Sequence, residues 1–346
     1  VGWARVVRAL DRISFMSAVR GQFAATVVGN DAICREHFVL RLGVRGFPPT
    51  EAGQFVQLAC HDRAAVLETE PRELEWEEGR PPRLSDPELL RQTTVLRRPF
   101  SLAGRRELAD GSAEISIIHR VVGIGTTELS ALRVGDVIDL IGPLGNTFQL
   151  PPPSGVAILV GGGAGIPPML YLADYIGRSN TAAPESPRRK AVAFFGALCR
   201  DLLAVTITDD APVPAADGVD PLYNIAELQP YNTPAVITTD DGSYGYRGLV
   251  TQALVEYLDN WITDNADRAR TVIYTCGPEA MMKAVAEIAQ RRQIACQVAI
   301  ERAMACGMST CQSCVIRVAA PNKPDGWRYA LACTEGPVFD SSVLRW

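Results

Sequence analysis

Histidine is scarce: the 346 residues hold only His37, His61 and His119. With no Ser–His–Asp ordering and no paired-carboxylate motif, the chain lacks the general base that a hydrolase needs. The same scarcity deprives any zinc site of imidazole partners near its cysteines. No apolar run approaches the roughly 18–20 residues of a membrane-spanning helix. Positive charge is in deficit, with 34 Lys and Arg against 39 Asp and Glu and a net charge of −5. Nucleic acid therefore has no electrostatic footing as a partner. A hydrophobic share of 47% and a charged share of 21% are those of an ordinary globular protein, long enough for two or three domains.

Cysteine, by contrast, is plentiful and unevenly placed. Nine are present, an odd number that suits a reducing cytoplasm better than a disulfide framework. Cys34, Cys60, Cys199, Cys276 and Cys296 are scattered, whereas Cys306, Cys311, Cys314 and Cys333 follow the pattern C-x4-C-x2-C-x18-C. Three thiols in one short loop and a fourth returning later match the plant-type arrangement that ligates a [2Fe–2S] cluster. The loop residues Gly307, Ser309, Thr310, Gln312 and Ser313 let a backbone wrap an inorganic core and aim N–H groups at sulfur.

The chain divides by pattern. Residues 1–20 read as a tail, with Arg5, Arg8, Arg12 and Arg20 against Asp11; it lacks the apolar core of a secretory signal, and Met16 is a candidate start. Residues 21–152 carry many short alternating strands separated by turn residues, which predicts an antiparallel β-barrel with one short helix near Gly125. Within it, residues 62–97 form a polar excursion rich in Glu, Arg and Pro, read as a surface insertion. Residues 153–298 alternate buried strands with helices, the pattern of a doubly wound parallel α/β sheet. Residues 299–346 form a small cysteine module. The predicted fold is thus multidomain: β-barrel, α/β sheet and cluster module.

Three segments suggest ligands. Gly161, Gly162, Gly163 and Gly165 follow a buried strand and open a helix, where N–H groups and the helix dipole meet a pyrophosphate. Asp241, Gly242 and Ser243 follow a later strand, and Cys276, Gly277 and Pro278 another; ligands of open α/β sheets bind at such carboxyl ends. In the barrel half, Arg98, Pro99, Phe100 and Ser101 combine a guanidinium for a diphosphate, an aromatic ring for a planar heterocycle and a hydroxyl for a ring heteroatom. Gly123, Gly125 and Thr126 offer a second phosphate cradle. A generic strand end explains Arg98–Ser101 equally well on physical grounds. Between Phe195 and Asp201 only Arg200 could meet a 2′-phosphate, and Asp201 stands beside it, which predicts NAD over NADP.

Taken in order, these segments resemble the electron-transfer subunits of class 1B dihydroorotate dehydrogenase, a branch of the ferredoxin–NADP reductase superfamily. The likeness spans residues 21–61 and 97–340 and is carried by Leu96–Ser101, Arg120–Thr126, Leu140–Asn146, Glu301–Gly307 and Gly336–Asp340. It implies that Arg98, Pro99, Phe100, Ser101, Ile118, His119, Arg120, Gly125 and Thr126 bind FAD. It implies that the Gly161–Gly165 turn, Asp241–Ser243 and Cys276–Pro278 receive NAD(H), with Cys276 and Ser101 beside the reacting rings. The four C-terminal cysteines would ligate the cluster. The implied partner is an FMN-containing catalytic subunit that oxidises dihydroorotate, assembled as a heterotetramer in the cytoplasm and serving pyrimidine synthesis. Two features depart from the family pattern: His119 stands where Tyr is usual, and the 62–97 excursion is unusually long. A diaphorase-type subunit of another redox complex is the alternative; the reductase branch tends to place Asp at the first cluster ligand, so Cys306 favours the dihydroorotate branch. A regulatory protein that merely keeps the cofactor folds would have no chemical need for Arg98, Ser101, Gly125 and all four cysteines.

Overall fold

The computed structural model describes residues 20–60, 96–208, 219–222 and 224–346. The expected tail and nearly all of the 62–97 excursion lie outside the described residues.

The first half is one antiparallel sheet. Its strands are β1 (Gly21–Cys34), β2 (His37–Val44), β3 (Phe55–Leu58), β4 (Arg98–Ser101), β5 (Gly104–Glu107), β6 (Ala113–Arg120) and β7 (Val137–Leu144). They are ordered β4-β3-β7-β1-β2-β6-β5. Alternation builds it: along β1, Ala25 and Val27 are buried while Ala24, Thr26 and Val28 face solvent. Strand β4, at one edge, lies against β6 near the other, so the sheet curls over its core. Helix α1 (Ile124–Ala131) bridges β6 and β7. Asn30 on β1 donates to the carbonyls of Leu129 and Leu132 at 2.9 and 3.0 Å, satisfying acceptors that a helix end leaves open.

The second half is parallel. Strands β8 (Val156–Gly162), β9 (Lys190–Ala197), β10 (Ala235–Thr239), β11 (Tyr246–Arg247), β12 (Thr271–Cys276) and β13 (Ala295–Ala299) alternate with helices α2 (Ile166–Ala182), α3 (Val250–Trp261), α4 (Asn265–Arg270) and α5 (Glu279–Arg292). Beyond β13 come the hairpin of β14 (Val315–Ala319) and β15 (Trp327–Leu331), then β16 (Val338–Asp340) and β17 (Leu344–Arg345). Strand β16 returns antiparallel to β13, giving the order β11-β10-β9-β8-β12-β13-β16, while β17 pairs with β14. The cysteine module is therefore stitched into the edge of the parallel sheet. Helix α2 packs on one face of that sheet, and α3 and α5 pack on the other.

One core joins the halves. Ile115, Ile117 and Leu140 from the curled sheet belong to the same buried cluster as Met169, Tyr171 and Phe195. Tyr171, fully buried on α2, donates to the Thr50 carbonyl at 2.8 Å, and its oxygen lies 2.6 Å from the Thr50 hydroxyl. No helix among the described residues is long and apolar enough to cross a membrane.

Candidate functional site

Strand order in the parallel sheet reverses at β8, which has β9 on one side and β12 on the other. Their carboxyl ends open a crevice, the place where such sheets take ligands. The curled sheet closes the other wall. The result is a cleft of about 1010 Å³ lined from both halves. Pro99, Phe100 and Ser101 of β4, Ile118, His119 and Arg120 of β6, and Thr126 of α1 form one side. Gly162, Gly163, Asp240 and Pro278 face them. Segments far apart in the chain thus meet in one cavity.

Other expected residues sit off the lining. Arg98 turns its guanidinium back to the carbonyls of Leu96 and Arg97, at 2.9 and 3.3 Å. Gly125 is buried within α1. Gly161 and Gly165 serve packing: a Cβ on Gly165 would lie 2.0 Å from the Cys276 carbonyl oxygen, so only glycine lets α2 start so close to β12. Asp241 and Ser243 close a turn, with the Ser243 amide donating to Asp241 at 2.9 Å and the Ser243 hydroxyl accepting from the Arg200 amide at 2.8 Å. Cys276 is 2% exposed, and burial, then the nearby Glu301 carboxylate, push its thiol well above the usual range. It is a neutral, packed thiol beneath the cleft floor rather than an exposed nucleophile.

Some lining residues were not among the expected site residues. Glu301, just past β13, reaches the cleft, and protein mass around its carboxyl raises the pKa although solvent enters from the cleft side. An acid directly after a buried parallel strand was the signal for it. His37 enters from β2, across the ladder from Arg120. His119 and His37 are 3% and 2% exposed, and both nitrogens of His119 and Nε2 of His37 find no hydrogen-bond partner among the described residues. Burial and the neighbouring His37 bring the His119 pKa down to about 4. The His37 and His119 rings line a cleft that also offers an aromatic ring and a helix N-terminus, while their unpartnered nitrogens are themselves buried; such a lining suits a dinucleotide carrying a heterocycle and hydroxyls. The residues present fit a flavin on this side and a nicotinamide nucleotide over Gly162 and Gly163.

The four C-terminal cysteines form a second centre. Cys314 and Cys333 are buried with Phe55 of β3, Leu144 of β7 and Ala332. Cys311 is exposed, and hydrogen bonds from the Ser313 hydroxyl and from the backbone lower its thiol to about 6. Backbone N–H groups already point at sulfur: Met308 and Cys311 to Cys306, each at 3.4 Å, and Ser309 to Cys333 at 3.3 Å. Gly307, Ser309 and Gln312 take positive φ of 69°, 74° and 55°, the curl that brings those amides inward. Among the described residues no three His, Cys, Asp or Glu side chains converge as a single ion would require. The C-x4-C-x2-C-x18-C spacing together with loop amides aimed at Cys306 and Cys333 fits [2Fe–2S].

Comparison with known proteins agrees with both centres. Residues 301–345 match the iron–sulfur cluster binding domain of dihydroorotate dehydrogenase B, and residues 159–287 match the oxidoreductase NAD-binding domain. The chain is 26% identical over 321 residues to the dihydroorotate dehydrogenase B (NAD(+)) electron transfer subunit of Caldanaerobacter subterraneus subsp. tengcongensis, covering 93% of this chain and 97% of that one. It is 34% identical over 253 residues to the subunit of the same name from Listeria innocua serovar 6a, covering 72% and 81%. Among solved structures, the NADH-dependent reduced ferredoxin-NADP oxidoreductase described for flavin-based electron bifurcation superposes with a TM-score of 0.63 at 22% identity, over 93% of this chain and 90% of that one. That last likeness speaks for the fold alone, a ferredoxin–NADP reductase-like arrangement.

Proposed function

Since the chain belongs to the family of dihydroorotate dehydrogenase B electron transfer subunits, we propose that it passes electrons from a dihydroorotate dehydrogenase catalytic subunit to NAD+ through a [2Fe–2S] cluster and FAD. The observation that carries this reading is the joint lining of one cleft by flavin-type residues on β4 and β6 and nucleotide-type residues after β8 and β12, with the cysteine loop packed on β3. The residues 21–152, 153–298 and 299–346 are read as FAD barrel, NAD domain and cluster module.

Bound flavin supplies the exchange between two-electron hydride and one-electron chemistry. The chain's own residues do the rest. Phe100 and Ser101 lie against the ring system, and Thr126 and the α1 amides take the phosphates. Arg98, here bonded to the carbonyls of Leu96 and Arg97, would supply a guanidinium to the diphosphate. Ile118, His119 and Arg120 follow the flavin along β6. Gly162 and Gly163 would admit the nicotinamide nucleotide's pyrophosphate, and directly after β9 the one cation, Arg200, stands beside Asp201, which favours NAD. Asp241–Ser243 and Cys276–Pro278 frame that pocket, with Cys276 supporting it from below. Cys306, Cys311, Cys314 and Cys333 hold the cluster. With no substrate base on this chain, dihydroorotate oxidation belongs to the partner, read here as FMN-bearing and joined in a heterotetramer. Five scattered cysteines outside the cluster set, none paired in a disulfide, suit a reducing cytoplasm.

Tagged chain purified with its co-expressed chromosomal neighbours tests this. The expected result is a complex containing FMN, FAD and iron that reduces NAD+ with dihydroorotate. A complex that instead reduces ferredoxin from NAD(P)H, with no dihydroorotate activity, would transfer the assignment to the diaphorase alternative.

A further inference from the structure

Strand β3 presents two side chains on its cluster side, two residues apart as strand geometry requires: Phe55 and Gln57. Phe55 packs with Cys314 and Cys333 and also lines the cleft. Its neighbours Val56 and Leu58 point the other way, into the core of the curled sheet. Gln57 is wholly buried at 0% exposure, and neither its amide nitrogen nor its carbonyl oxygen finds a hydrogen-bond partner among the described residues. A carboxamide in that condition is costly unless something accepts from it. The amide nitrogen sits against Gly307, the residue after Cys306: a Cβ there would fall 2.8 Å from Nε2. Gly307 is left-handed and its Cβ position is closed by Gln57 and Leu144, so the loop backbone is pressed onto the amide. Across the ladder, Gln57 pairs with Pro99 beside the flavin-type residues of β4.

We propose that the Gln57 carboxamide is an N–H donor to the sulfur atoms of the cluster site on its flavin-facing side and raises the cluster's reduction potential. The inference rests on the cluster reading above. Backbone amides of the loop serve Cys306 and Cys333 from one side, and Gln57 is the side-chain donor reaching in from the curled sheet. Hydrogen bonds to sulfur and local polarity set such potentials. In the one-electron reduction no bond forms or breaks and no proton moves; the donor favours the more negative state.

The test is Gln57→Leu and Gln57→Met in the full chain, each with iron and acid-labile sulfide analysis and an EPR-monitored titration with dithionite. Both apolar variants are expected to keep the cluster and lower its midpoint by about tenfold in the reduction equilibrium, ~59 mV for one electron. Their cluster-free forms are expected to melt no lower than the parent, because an unsatisfied amide has been removed; a purely structural amide would lower melting and leave the potential alone. Where the branched leucine prevents loading, the methionine variant decides. Clusters present at the parental potential would overturn the role of Gln57 and leave the cluster assignment standing. A parent chain without iron or sulfide after reconstitution would overturn both.

Discussion

His119 is a buried imidazole among the flavin-type residues of β6, and its surroundings say what that burial costs. Its ring stacks on Phe38 at 5.8 Å and meets the edge of Phe100 at 6.1 Å, so packing is satisfied while both nitrogens are not. Burial holds the imidazole neutral, its pKa down to about 4 from 6.5. The unfolded chain therefore takes up a proton first as pH falls. Stability is fully present above about 6.5 and drains as pH approaches 4. Between pH 7 and pH 5 this one group removes about 2 kcal/mol by linkage. Replacing it by Phe keeps the ring contacts and deletes the titration. In flavin-free protein, His119→Phe is expected to lose about 2 kcal/mol less than the parent over that interval, read from urea midpoints. It should also bind FAD more weakly in a fluorescence-quench titration. Parallel pH profiles for the two proteins would show that His119 is not held neutral.

The elements of the nucleotide half were legible because each carries its own period. Helix α5 runs Glu279–Arg292 with Met282, Val285, Ala286 and Ala289 on its buried face, and the apolar runs at 156–160, 235–239 and 271–275 form β8, β10 and β12. Helix α2 runs longer than its apolar stretch, to Ala182, since its exposed last turn needs no hydrophobic face. The strands after residue 299 were not legible: β14, β15 and β17 are short and half exposed, and β16 owes its existence to an edge that β13 leaves open. At the site, motif-bearing segments announced themselves, while Gln57 and His37 did not, because a single polar residue in a strand becomes informative only when its neighbours are known. The glycine turn was read as one phosphate cradle, yet two of its glycines face the cleft, Gly161 is closed in by Ile166 and Phe195, and Gly165 holds α2 against β12. Gly165→Ala separates these roles. Its Cβ meets the backbone of Cys276 and Gly277 at 2.0 and 2.4 Å, and backbone cannot swing aside. Overpacking of this kind costs about 1–3 kcal/mol, so the urea midpoint should fall and NADH binding should weaken together. An unchanged midpoint would show that α2 does not rest on β12 through this glycine.

At the scale of the whole molecule the two centres are built from different parts. The cleft draws mainly on β4, β6, α1 and the carboxyl ends of β8 and β12, and none of the four cysteines is in its lining, although Ile300–Met304 lead from it into their loop. The loop rests instead on β3 and β7, and its downstream strand closes onto β13. Phe55 and Met304 belong to both, lining the cleft and packing on the core of Cys314 and Cys333. A defect confined to the loop should therefore spare the cleft. Cys311 is the ligand to change, because it is exposed and its loss opens no hole in the Phe55–Leu144 core. In Cys311→Ser the cluster's visible and EPR signals should disappear, and dihydroorotate-driven reduction of NAD+ in the complex should fall at least 100-fold, about 2.7 kcal/mol. NADH-driven bleaching of the flavin should stay within about twofold of the parent, a difference of roughly 0.4 kcal/mol. Loss of both reactions would mean the loop supports the cleft mechanically. Retention of both would mean electrons reach the partner without passing the four thiolates.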